Sequence, residues 1–77
     1  MENSILKNEI KAKIMLSGHT MTQLVELLNK KYGKKTTVQN LSNKLTRGTI
    51  SHKEILEIAD VLEYEIIWQK KHAINNA

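Results

Sequence analysis

Along most of the chain, apolar residues recur at intervals of three and four, the spacing that gathers them on one face of an α-helix. Leu6, Ile10 and Ile14 form such a stripe and predict a first helix over 4–16, ended by Gly18 in a left-handed conformation. Thr20-Met21-Thr22-Gln23 reads as a capping box, in which hydroxyl and carboxamide satisfy each other's backbone donors. The second helix it opens buries Leu24, Leu27 and Leu28 with Val25, and runs through Lys30-Lys31-Tyr32 to Gly33. A third start signal, Thr36-Thr37-Val38-Gln39, opens a helix that stops at Gly48 and carries Val38, Leu41, Ser42 and Leu45 on its inner side. Ser51-His52-Lys53-Glu54 is the last box, with Ile50 and Ile55 as a hydrophobic staple across it. The fourth helix then buries Ile55, Ile58, Ala59 and Leu62 and ends near Glu63.

Beyond Leu62 the period changes. Tyr64, Ile66 and Trp68 alternate with Glu65, Ile67 and Gln69, a two-residue repeat in residues that favour strands. A solitary strand leaves its backbone groups unpaired. The segment therefore either pairs with its own copy across a two-fold axis, the outcome expected here, or forms a last helical turn on the core. The end, from Lys70 to Ala77, is expected to fray. The organisation is one domain over 1–77, with a core over about 4–63 and a tail over 64–77.

Composition narrows the picture. A chain of 77 residues with no Cys and three aromatic residues, Tyr32, Tyr64 and Trp68, must build a small aliphatic core without disulfides or thiolate metal sites. Dimerisation is then a natural source of added stability. No apolar run is long enough to span a membrane and no secretory segment is visible, so a cytoplasmic location is the expectation. His19, His52 and His72 are scattered, and neither a Cys nucleophile nor a phosphate-cradling Gly loop is present, so the expectation is a non-enzyme without cofactor or metal.

Charge is lopsided. The chain carries 12 Lys+Arg against 8 Asp+Glu, a formal net charge of +4. From Leu27 to Lys53 there is no acid, whereas Lys30, Lys31, Lys34, Lys35, Lys44, Arg47 and Lys53 are basic. Such a zone suits a polyanion whose counterions it displaces, and it also suits an acidic protein. The third helix tips the balance. Its outward side presents Gln39, Asn40, Asn43, Lys44 and Arg47, with no carboxylate and no large apolar group. Carboxamides and guanidinium hydrogen-bond base edges and phosphate oxygens, whereas protein-binding faces are enriched in aromatic and apolar groups.

The order of parts resembles the phage repressor and Cro-like helix-turn-helix family over roughly 5–63. The resemblance rests on the Thr20 helix with Leu24-x-x-Leu27-Leu28, the Leu45-Thr46-Arg47-Gly48 ending and the Ile55-Leu56-Glu57-Ile58-Ala59-Asp60-Val61-Leu62 helix. It implies a mainly α, four-helix, lambda-repressor-like fold, here with a short C-terminal β-strand if the tail pairs. It also implies sequence-specific binding of operator double-stranded DNA by a small homodimeric repressor, through helix 36–47 in the major groove. On that resemblance Gln39, Asn40, Asn43, Lys44 and Arg47 face the major groove and its phosphates; Thr22, Gln23, Lys34, Lys35, Thr36 and Thr37 complete the candidate DNA contacts, and the alternation in the tail makes Tyr64, Ile66 and Trp68 the candidate dimer contacts. Two features depart from the family. Met21 stands where it usually has a Gln after the cap of the second helix, and the turn holding Lys30-Lys31-Tyr32-Gly33-Lys34-Lys35 is longer than its tight connection. The competing expectation is a helical module of antitoxin or inhibitor type that sets its basic face on an acidic protein. RNA binding ranks lower, since Tyr32 is the sole aromatic in the basic zone.

Overall fold

The computed structural model describes residues 3–71, with side chains from residue 5 onward. Four helices follow one another: α1 (Asn3–Leu16), α2 (Met21–Tyr32), α3 (Val38–Arg47) and α4 (His52–Val61). α1 packs on α3 and α2, and α2 packs on α3 and α4. The result is a mainly α domain with the helix packing of helix-turn-helix-like domains. No helix among the described residues is long and apolar enough to cross a membrane.

The helix starts follow from the caps. Thr20 and Ser51 are full capping boxes, with Gln23 and Glu54 returning the bond to the cap's own N–H. At α3 the cap is Thr37 rather than Thr36, and its hydroxyl accepts from the Asn40 N–H at 3.1 Å. The shift has a local cause. The Asn29 carboxamide clamps Thr36 from both sides, accepting from its N–H and donating to its C=O, each at 3.0 Å. With both backbone groups engaged sideways, Thr36 stays outside the helix.

Three helices end in one motif, a left-handed residue whose following N–H reaches back to a carbonyl in the last turn. Gly18 and Gly48 fill that position at the ends of α1 and α3. After α4 it is Glu63, at φ 65°, with Tyr64 N–H donating to Ala59 C=O at 2.8 Å. A glutamate pays a steric penalty there that glycine avoids.

The core is wholly aliphatic: Ile10, Ile14, Leu24, Val25, Leu28, Leu41, Leu45, Ile58 and Leu62. Leu24 and Leu45 are fully enclosed, each contributing about 1.5–3 kcal/mol by removal from water. Six assignments change on the inner faces. Val38, expected inside, is 38% exposed, because the burial of α3 centres on Leu41 and Leu45. Leu6, Leu27, Ser42, Ile55 and Ala59 are only half-buried.

The tail does not form the expected strand. Among the described residues none lies in a sheet, and 64–71 is irregular rather than helical. The left-handed turn at Glu63 breaks the helix, and no other segment among the described residues offers a sheet edge. Of the end expected to fray, residues 72–77 lie outside the described part.

Candidate nucleic-acid interface

The face of interest is built by the turn 33–37 and α3. The turn leaves α2 at Gly33, whose φ of 64° is left-handed, and enters α3 at Thr37. Asn29, three residues before the end of α2, holds the far side of the turn through Thr36. Although longer than the expected connection, the turn is therefore tied to α2 at both ends.

Lys34, Lys35, Thr36, Asn40, Asn43, Lys44 and Arg47 line one open concavity, with Thr49 and Glu54 completing its wall. Seven of the expected contacts thus come together. Gln39 joins them along the helix, since its Nε2 donates to Asn43 Oδ1 at 3.2 Å. The pair retains donors and acceptors beyond that bond, as a base edge requires. Thr37 turns its hydroxyl inward on the Asn40 N–H. Thr22 and Gln23 do not reach the concavity. Gln23 lines a separate hollow with His19, Glu26, Leu27 and Lys30, and its Oε1 accepts from Thr20 N–H.

The lysines divide into two groups. On α4, Glu54, Glu57 and Asp60 recur every third residue and form a slanted acidic row. Each holds one lysine: Lys44 at 2.6 Å, Lys34 at 2.9 Å and Lys31 at 2.5 Å. The row thus binds α3, the turn and the end of α2 in succession. Among the described residues, Lys35 and Arg47 have no carboxylate within ion-pair distance. The acid-free window in the sequence is therefore partly neutralised in space by a helix beyond it.

Each pair has its own character. Glu57 is 8% exposed, and the Lys34 ammonium lies close to Oε1 without hydrogen-bond alignment. Glu54 is fixed at both oxygens: Oε2 accepts from Lys44 and Oε1 from Ser51 N–H at 2.9 Å. The Lys44 bond, then the Ser51 backbone bond, draws its carboxyl down from 4.5 to about 2. Asp60 is held below its ordinary value by Lys31 and then by the Tyr32 hydroxyl, which donates to the same oxygen. Lys31 and Tyr32 are both raised, chiefly by that hydrogen bonding to Asp60.

The expected dimer contacts lie elsewhere. The Lys13 ammonium sits 5.4 Å from the centre of the Tyr64 ring, which brings the start of the tail across α1. Ile66 and Trp68 then rim a groove of about 510 Å³ between α1 and α4, floored by Ile10, Ile55, Ile58, Ala59 and Leu62. Trp68 is 89% and Ile67 73% exposed.

Residues 3–67 match a family described as a domain of unknown function, DUF6471. The chain belongs to this family. No curated protein and no solved structure matches the chain.

Asn29, Glu54, Glu57 and Asp60 are absent from the site residues that the sequence suggests, although Glu54 is recognisable there as a helix cap. The three-residue spacing of the acids was a visible signal. What it faced was not, because that depends on where α4 crosses the α2–α3 unit.

Proposed function

We propose that the chain is a sequence-specific DNA-binding regulator of the repressor and Cro-like kind, acting through α3 in the major groove. One observation carries the proposal: Asn40, Asn43, Arg47 and Lys35 share an open concavity, with the Gln39–Asn43 pair alongside. Arg suits guanine O6/N7 and a carboxamide suits adenine N6/N7, while cations at the edge of such a helix hold phosphates. In this reading Asn43, Gln39 and Arg47 meet base edges, and Lys35 leads the phosphate contacts.

A single short helix reaches few base pairs, so the proposal includes a homodimer that spans two half-sites about one DNA turn apart. Its support is the uncovered tail, where Trp68 and Ile67 stand in water beside an apolar groove that nothing in the described chain fills. Exposed apolar surface of this kind marks association sites.

Selection of bound duplexes from a random pool, followed by sequencing, tests both parts. A recovered motif with two-fold symmetry is the expected result. A motif without symmetry removes the dimer and keeps the reading helix. No enrichment, together with capture of an acidic protein, would favour the antitoxin- or inhibitor-type module instead.

A further inference from the structure

Among the residues that line the α3 concavity, Glu54 is the one acid. It cannot swing away, because one oxygen accepts from the Ser51 N–H that opens α4 and the other accepts from Lys44. A phosphate approaching Lys44 therefore meets an ammonium already paired, beside a stationary negative charge. Among the described residues Lys35 and Arg47 have no ion-pair partner, so a backbone would track along their side of the concavity.

We propose that Glu54 is a specificity-determining residue of this concavity: it restrains the grip on any polyanion, so that stable binding requires base contacts as well. The inference rests on the DNA reading above for its biological meaning. The physical reason lies in how the two kinds of binding differ. Sequence-independent binding is almost wholly electrostatic, whereas base readout depends on hydrogen-bond geometry. A fixed carboxylate in the site weakens the first more than the second, which widens the ratio between them.

Asp60 supplies an internal control. It lies on the same helix, pairs with a lysine in the same way and is absent from the concavity. Glu54→Gln is a clean variant because a glutamine at that position still completes the capping box. The probes are heparin and a random-sequence duplex. Glu54→Gln should elute from heparin at higher salt than wild type and bind the random duplex with a salt slope steeper by about 0.9. That amounts to about three- to fourfold extra affinity per fourfold drop in salt. Asp60→Asn should change both far less.

A second arm keeps the test decisive if Glu54→Gln alters stability. Lys44→Gln unmasks the Glu54 charge and should elute from heparin earlier than wild type, and Glu54→Gln should restore retention in that background, where no ion pair is left to lose. Equal or earlier elution of Glu54→Gln in either background would overturn the inference. Duplex selection that recovers no motif would overturn the DNA reading separately, and the heparin comparison would still decide what Glu54 does.

Discussion

Lys34 and Lys35 are neighbours in the chain and belong to different regions of the molecule. Lys34, with Lys31 and Lys44, forms the region held against the acidic row of α4. Lys35, with Asn40, Asn43 and Arg47, forms the region open to solvent along the turn and α3. Both are basic and polar by composition. The first uses its charge to join α4 to the helix-turn-helix unit, and the second leaves its charge and hydrogen-bonding capacity to a ligand. Counting basic residues therefore overstates the surface available to a polyanion. The held lysines are spent within the fold, and the open groups remain on its surface.

Both regions stand on the same core, so the largest effect should come from removing that support. Ile58, 2% exposed on α4, should cost about 2–5 kcal/mol on replacement by alanine. Urea denaturation would show it, and an unchanged midpoint would detach α4 from the arrangement described here.

The two neighbouring lysines provide the sharpest contrast. Lys34→Ala leaves the buried Glu57 carboxylate unpaired and should lower stability by about 2–3 kcal/mol, somewhat less than a fully buried pair because Lys34 is partly wet. Lys35→Ala should stay within about 0.5 kcal/mol. Equal losses in thermal melts would erase the distinction between the regions. On DNA the order reverses in meaning: Lys35→Ala should reduce the salt slope by about 0.9 on every duplex.

Within the open region, Asn43→Ala should lose about 1–3 kcal/mol on a selected site and little on random DNA. A uniform loss on all sequences would make Asn43 another backbone contact.

The smallest expected effect is one of pH. Glu54 titrates at about 2 in the folded chain against an ordinary 4.5, so its contribution to stability is complete above about 4.5 and disappears as pH falls toward 2. Lys44 is well exposed, which limits the contribution to about 1 kcal/mol. The stability gap between wild type and Glu54→Gln should therefore be about that size at pH 7 and close across this acid window. A gap constant with pH would mean that the Lys44 pair does not stabilise the fold.

The tail offers a second comparison. α3 is anchored by its N-cap and by the Lys44–Glu54 pair, with Asn29 holding the turn before it. The segment 64–71 is not, since Ile67 and Trp68 find no cover among the described residues. An alternating pattern states a preference for extended backbone, but a strand exists only where a second edge is present. That is why Tyr64, Ile66 and Trp68 were legible as a pattern, while no strand appears among the described residues.

The number of helices, close bounds for each and most of the aliphatic core were legible in the order of residues. Those features are local: a cap bonds three residues ahead, a left-handed glycine ends its own helix, and a stripe at helical spacing buries one face wherever the helix goes. Even the one-residue error at Thr36 arose where a bond of longer range, from Asn29, displaced the local signal. Which charges are held and which are open depends on how the helices pack. An ion pair such as Lys34–Glu57 or Lys44–Glu54 exists because α4 packs on α2 with its acidic row toward the turn and α3. That arrangement is set by side-chain packing between helices far apart in the chain, and no local pattern encodes it.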